Sequence, residues 1–582
     1  MLKELYELST HFNLSPLGYA ELVVQWQVNL RNPPEHAFMP LETPAQKPSD
    51  KPKLGQRLLV PDLLRNSDES LLIDDKGEYV FGVGIRGKKR QELYLHLLEK
   101  CLTETSENAA RLVYDFVTSC KHETISKQLS DLSPSKTKRD EFWWCQDRFV
   151  FMLDGKQVSK IPAIREWWGE YYASKQDTIP GICLLTGERS NILSRKMPIK
   201  VKGVPGSSTS GAAITSFDKA AYQSHGWEGN ANAPISFAAA IGFNKALEIL
   251  MSRETNHKKI GGQAFVFWGD VEGEGIDPQL WENPSAAQGI FVTPEQPNKL
   301  PSDRVLSRRF YLAALKGNNG RIAVSSWDER TSDQVKSSVK QFIKCQQLTS
   351  QTKAKPLWVL RNTAFLDPAK EYTDKITTAL VKAALLGLPL PDEYAIRVMN
   401  RICREQDSMR SLDRGQALAF YLTTNNCMPT LPESDKPPTP EQVAYILGRI
   451  AFLMHRAQLT AQNPPKQSSQ SPNSQTGEDT KGTRSIKEDT NVTRSLKALS
   501  TTPAQVFPRL YYGCIAHHLE EKEVPGLFRI KKELDKEFIK FGTNFNPSID
   551  LPDTFNVKAQ ACFFFGWGIR RAEFFTKSEE QS

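Results

Sequence analysis

Between Arg189 and Phe217 the chain carries five cationic side chains and no carboxylate. Arg189, Arg195, Lys196, Lys200 and Lys202 come first, then a Gly/Ser/Thr-rich stretch, and Asp218 is the first acid. Gly206, Ser207, Ser208, Thr209, Ser210 and Gly211 follow a segment, IKVKGV, that alternates like a strand. Positive charge, backbone N–H donors and short hydroxyls in one place are the chemistry of holding phosphates. The spacing Gly206-x4-Gly211 is that of a nucleotide-binding loop, but Ala212 and Ala213 stand where Lys and Ser/Thr must follow. Without them the loop lacks the cation and magnesium ligand that hydrolysis needs.

Other clusters are weaker. Asp270, Glu272 and Glu274 begin like a calcium loop, but Trp281 occupies the position of the bidentate glutamate and Glu282 falls one residue late. This reads as a solvated acidic turn. His517, His518, Glu520 and Glu521 read as the polar face of an amphipathic helix, with His517 and Glu521 as the alternative metal pair. No HExxH, GxSxG or usefully spaced Cys/His pair occurs. The sequence therefore assembles no catalytic constellation, and neither a metal nor a cofactor is expected.

Cations recur beside aromatic residues. Arg86, Lys88, Lys89 and Arg90 follow EYVFGVGI and open a helix, so cations and a helix N-terminus would face the same anion. Arg304, Arg308 and Arg309 precede Phe310 and Tyr311, and His257, Lys258 and Lys259 precede an apolar strand. Four basic runs clustered at strand ends point to a nucleic-acid groove. The net charge of +8 over 582 residues agrees with an anionic partner without requiring one.

Positioning these side chains falls to two kinds of region. In the first two-thirds, strands are expected around 24–30 and at 78–85, 147–153, 263–270 and 320–327. Helices are expected at 88–104, 107–120, 161–175, 236–254 and 331–347. Beyond about residue 370 the β pattern disappears. Thr439-Pro440-Glu441-Gln442 and Thr502-Pro503-Ala504-Gln505 each resemble a capping box with proline at the first helical position. Val443, Ile446, Leu447, Ile450 and Leu453 then mark a core stripe. The fold class is α+β: a mixed α/β N-terminal domain with antiparallel or mixed sheets over 1–370, then a C-terminal α-helical bundle over 371–582. Residues 461–500 have few large apolar side chains and are expected to be a disordered surface insertion. Nine dispersed cysteines without a CxxC argue against a disulfide framework. The polar N-terminus and the absence of a long apolar run predict a cytoplasmic, non-membrane protein.

The ordered motifs CLLTGE (183–188), KGVPGSSTSGAAITSF (202–217), NAPIS (232–236), FYLAALKGNNGRIAVSSW (310–327), AYILGRIAFLMHRAQ (444–458) and TPAQVFPRL (502–510) resemble one family. It is the large subunit of the type I-C CRISPR surveillance complex, Cascade. Two departures are Asp218, where the family has asparagine, and Gly566-Trp567-Gly568-Ile569-Arg570-Arg571 in place of a Gly-Tyr-Tyr-His-Gln-like string. The resemblance implies a non-catalytic subunit at the crRNA end that recognises the protospacer-adjacent motif (PAM) in target double-stranded DNA. It implies aid to duplex opening and recruitment of a helicase–nuclease, with backbone and crRNA-end subunits as neighbours. It also implies that 438–582 resembles the small subunit, made from an internal start for which Met428 is well placed and Met454 is not. On this reading Lys200, Lys202, Ser207, Ser208, Thr209, Ser210, Gly211 and Asn232 contact PAM-proximal DNA, and Arg86, Lys88, Lys89 and Arg90 grip the duplex backbone. The alternatives are a nucleotide- or metal-dependent enzyme (ATPase or nuclease) and a scaffold touching only crRNA and backbone subunits.

Overall fold

The computed structural model describes the chain except residues 13–14, 44–52, 63–67, 133–141, 195–196, 198, 218, 270–274, 287–290, 293–308, 368–370, 372–373, 406–410, 434–435, 463–489, 521–523, 525, 543–544 and 580–582. Backbone contacts divide it into two compact units, Met1–Lys202 with Ser210–Glu248, and Gly203–Thr209 with Ile249–Ser582. The division falls at 248/249 rather than at 370, inside a helix, because the helices after 370 share a core with the sheet before it.

The first unit starts with α1 (Leu2–Ser9) and β1 (Tyr19–Val24), then β2 (Trp26–Asn29), β3 (Phe38–Pro40) and β4 (Gln56–Pro61). Helices α2 (Gly77–Val80), α3 (Gly87–Thr105), α4 (Asn108–Ser119) and α5 (His122–Leu132) follow, then β5 (Phe149–Leu153), β6 (Lys156–Gln157) and α6 (Pro162–Ser174). β2 pairs with β5 in parallel, and the helices between them supply the long crossover that parallel pairing requires. Tyr94, Leu97, Leu98 and Cys101 recur at helical spacing on α3 and enter one core with Trp26, Val28, Phe149, Phe151, Val113 and Trp168. The core also encloses a carboxylate. Asp74 accepts hydrogen bonds from the Phe151 N–H (3.1 Å), the Gln157 amide (2.7 Å) and the Ser159 hydroxyl. Burial outweighs those bonds and pushes its carboxyl up to about 6. The unit closes with the hairpin β7 (Thr178–Ile182) and β8 (Arg189–Leu193) and most of α7 (Phe237–Ser252).

The second unit holds an antiparallel sheet of β9 (His257–Ile260), β10 (Gln263–Gly269), β11 (Arg309–Asn318) and β12 (Arg321–Thr331) in that order. Asn318 pairs with Arg321, so Asn319-Gly320 form a two-residue turn, with Asn319 at φ 52° as such turns demand. Phe265, Phe267, Phe310 and Leu312 share one core with α8 (Ser332–Cys345), α9 (Leu357–Asn362), α10 (Asp374–Leu386), α11 (Asp392–Glu405) and α12 (Ser411–Thr424). Further helices are α13 (Pro440–Gln462), α14 (Asn491–Thr501), α15 (Pro503–Leu510), α16 (Ala516–Glu520), α17 (Leu527–Ile539) and α18 (Val557–Glu579). At the crossing of α13 and α18, a Cβ on Gly448 would lie 1.9 Å from the Phe563 carbonyl oxygen, and one on Gly566 2.1 Å from that of Tyr445. Bare glycine faces let the two backbones touch. Beside the crossing, buried Arg449 forks onto Glu537 (2.7 Å) and Glu573 (2.8 Å), and Arg570 joins Glu533 and Glu573. Burial of an unpaired guanidinium would cost several kcal/mol, roughly, and each of these arginines faces at least two carboxylates.

Most expected elements appear, and the whole is the α+β fold read from the sequence. Four expectations are corrected. EYVFGVGI (78–85) is not a strand: Glu78, Tyr79 and Val80 lie in α2, and Gly82 and Gly84 take φ of 71° and 89°, turning the chain. Tyr79, Val80, Phe81 and Val83 are buried, in that short helix and the turn after it, while Ile85 is fully exposed. IKVKGV makes one isolated bridge, Val201 to Ala212, instead of a strand. Thr502 forms no capping box, because its hydroxyl donates back to the Ala498 carbonyl; Thr439 does form one with Gln442. Within 461–500, Thr490 caps α14 and buries Val492, Leu496 and Leu499, while 463–489 lie outside the described residues.

Candidate nucleic-acid interface

In the second unit, the segment Gly203–Thr209 is seated on the tip of the β11–β12 hairpin. The Gly317 N–H donates to the Pro205 carbonyl (2.8 Å), Asn319 N–H to Gly206 (3.1 Å) and Ser208 N–H to Asn319 (2.9 Å). The Ser207 N–H and hydroxyl both donate to the Val204 carbonyl, at 3.1 and 2.7 Å. Two of the backbone amides expected to cradle phosphate are thus committed to the fold. Gly206 lies at φ 81°, and a Cβ there would stand 2.6 Å from the Gly317 oxygen. The glycine is required by this close approach. Thr209 remains exposed.

In the first unit, Val201 and Ala212 exchange backbone hydrogen bonds of 3.0 and 2.9 Å. Gly211, at φ 92°, packs where a Cβ would be 2.9 Å from the Lys200 carbonyl oxygen. This bridge buries Val201 and turns the neighbouring Lys200 and Lys202 side chains to solvent, as strand-like alternation requires. Ser210, two residues before Ala212, is exposed. Asn232 is occupied: its amide donates to the Trp227 and Gly229 carbonyls (2.9 and 3.0 Å) and its oxygen accepts the Ser224 N–H (2.9 Å). It closes a loop that holds Trp227 and Tyr222 half-exposed.

The basic turn at 86–90 is real, but sequence reasoning missed its counter-charge. Asp68 takes Arg90 at 3.0 Å, Arg86 at 3.4 Å and Lys89 at 3.7 Å, and Arg90 also reaches Glu78. The Arg90 hydrogen bond, with the neighbouring cations, holds the Asp68 carboxyl below the usual carboxylate range. Arg90 is the committed partner. Arg86 and Lys89 are about two-thirds exposed, at 66% and 71%, and their longer contacts are of the kind worth at most about 1 kcal/mol. Lys88 pairs with no carboxylate among the described residues. Gly87 carries the turn, since a Cβ there would meet the Gly82 carbonyl oxygen at 2.1 Å.

Several candidates fall outside the described residues: Arg195, Lys196, Asp218, the Asp270–Glu274 turn, Arg304, Arg308 and Glu521. Among the described residues, no three His, Cys, Asp or Glu side chains gather as a metal site, and no helix is long and apolar enough to cross a membrane.

The sequence matches the model of a CRISPR-associated protein family, Cas_Csd1, over residues 2–575. The chain belongs to the Csd1 family of CRISPR-associated proteins. No curated protein matches it significantly. In this Csd1-family chain the hydroxyl loop, Lys200 and Lys202 beside the Val201–Ala212 bridge, and the turn at 86–90 all lie within the matched span. Each presents solvent-facing groups from an anchored backbone: Thr209, then Lys200 and Lys202, then Arg86, Lys88 and Lys89.

Proposed function

We propose that the chain is the non-catalytic large subunit of a type I-C surveillance complex, contacting PAM-bearing duplex DNA and recruiting the helicase–nuclease that cuts it. The observation that carries this reading is membership of the Csd1 family along nearly the whole chain. The geometry adds lysines held on rigid backbone: Lys200 and Lys202 beside the Val201–Ala212 bridge, and Lys88 and Lys89 in the first turn of α3. Rigid presentation lowers the ordering cost of each contact with phosphate. Arg86 and Lys89 exchange weak pairs with Asp68 for stronger charge-assisted bonds to phosphate oxygens. Because Ser207 and Ser208 use their amides internally, lysine side chains and the Thr209 hydroxyl, not a backbone cradle, make the contacts here. Chemistry at this surface is absent from the reading; cutting belongs to the recruited enzyme.

The test is duplex binding by the assembled complex carrying Lys200→Ala and Lys202→Ala. Each phosphate contact contributes about 0.9 to the salt slope, so affinity should fall and the slope should flatten by roughly two. Unchanged affinity and slope would remove these two lysines from the DNA interface and favour the scaffold reading.

A further inference from the structure

The first unit contains a cavity of about 510 Å³ that the duplex-binding reading leaves unused. Its size falls within the roughly 300–1,000 Å³ of small-ligand sites. α3 supplies one wall, with Leu93 and Lys100 two turns apart on a single face. Tyr171 and Lys175, from α6 and the residue after its end, supply another, and Asp68 and Glu69 complete the lining.

The lining combines cations, an aromatic ring and carboxylates. The Lys100 and Lys175 ammonium groups each sit 5.2 Å from the centre of the Tyr171 ring. Lys100 has a long, exposed pair with Glu104 at 3.9 Å, and Lys175 pairs with no carboxylate among the described residues. Tyr171 itself is fixed, stacked on Trp167 at 5.2 Å and Trp168 at 5.6 Å. Both indoles are anchored in turn, Trp167 on Glu104 (2.7 Å) and Trp168 on the Gly18 carbonyl (2.6 Å). Of the two carboxylates, Asp68 already faces three cations, whereas Glu69 pairs with none among the described residues.

That pattern excludes simple ligands. A bare anion would meet Glu69, and a wholly apolar molecule would desolvate two ammonium groups without compensation. A ligand with phosphate at one end and a flat, amine-bearing ring at the other satisfies both ends. Lys89, one turn before Leu93 on α3 and paired to Asp68 in the lining, extends positive charge from the basic turn toward the cavity. We propose that this cavity receives a single unpaired nucleotide of a nucleic-acid strand. Lys100 and Lys175 hold its phosphate, Leu93 covers the base, and Glu69 accepts from the exocyclic amine, as carboxylates do from cytosine. The proposal rests on the nucleic-acid reading of this chain.

The experiment uses the purified full chain and fluorescence anisotropy. The probes are a fully paired DNA duplex and the same duplex with one bulged cytidine, thymidine or abasic residue, together with their RNA counterparts. Wild type should prefer the cytidine bulge to the abasic bulge by about tenfold, with thymidine between them. The double variant Lys100→Ala/Lys175→Ala should lose that preference yet bind paired duplex as wild type does. Leu93→Trp fills the cavity from a side chain that is already 36% exposed, and should do the same. The DNA and RNA arms identify which strand supplies the nucleotide. Equal affinity for all three bulges, or a preference that survives Leu93→Trp, overturns the proposal. If paired duplex still binds in that case, the duplex-binding reading stands without it. Bulge preference with no affinity for paired duplex supports the cavity and overturns the duplex reading.

Discussion

Gly206 and Gly317 form a contact in which neither residue can carry a side chain. Gly206 is held at φ 81°, and a Cβ on Gly317 would lie 2.1 Å from the Ser207 nitrogen. Gly206→Ala and Gly317→Ala should each detach the hydroxyl loop from the hairpin tip, at a cost of about 1–3 kcal/mol in stability from strain and overpacking. Hydrogen exchange at the Ser208 and Asn319 amides checks this. Thr209→Ala, on an exposed side chain, should leave both amides protected, and loss of protection there as well would mean that the loop is held by something else. The sequence showed Gly206 only as part of a phosphate-holding loop, not as the site of this close approach. The use made of the Ser207 and Ser208 amides was not legible either, because the partner of Ser208, Asn319, lies 111 positions along the chain. Asp68 was hidden for the same reason: no local pattern connects it to Arg86, Lys89 and Arg90.

At the scale of elements, local rules worked where local forces dominate. The helical stripe after Thr439 is buried residue for residue, and its capping box forms as spaced. Thr439→Ala should therefore destabilise the second unit by about 1 kcal/mol, whereas Thr502→Ala should matter less, since no cap is lost. Chemical denaturation midpoints compare the two, and equal losses would contradict this account. EYVFGVGI misled because a short buried run of apolar residues looks alike in a strand and in a turn. Only the positive φ of Gly82 and Gly84 separates them, and single-sequence periodicity does not report it. The α13–α18 crossing was illegible for a different reason. Gly448 looks like a weak point in a helix, yet it is what lets the Phe563 carbonyl approach. Gly448→Ala should improve helix propensity by about 1 kcal/mol and still lower stability, by about 1–3 kcal/mol, as the helices separate. A stabilised variant would show that the crossing relaxes freely.

For the molecule as a whole, Asp74 in the first unit and His455 in the second are buried titrating groups that act in opposite directions with pH. Asp74 in the first unit has its carboxyl raised from 3.8 to about 6 by burial. Folding there favours the protonated form, so its contribution is complete below pH 4 and is lost as pH rises through 6. Two pK units correspond to about 3 kcal/mol. His455 in the second unit is lowered to about 4 by burial and by the charges of Arg456 and Arg571, with Thr490 at 2.9 Å from its Nδ1. The imidazole is folded neutral, so its contribution is present above pH 6.5 and is lost as pH falls toward 4. Glu533, Glu537 and Glu573, lowered by their arginine and lysine partners, add to that acid sensitivity below about pH 4.5. Between pH 6.5 and 4.5 the first unit should hold or gain stability while the second loses it. Hydrogen exchange corrected for intrinsic rates should show steady or rising protection at Phe151 and falling protection along α13 and α14. Asp74→Asn should abolish the first trend and His455→Gln the second. Protection that falls together in both units over this range, in the unmodified protein, would mean that some other group governs its acid stability.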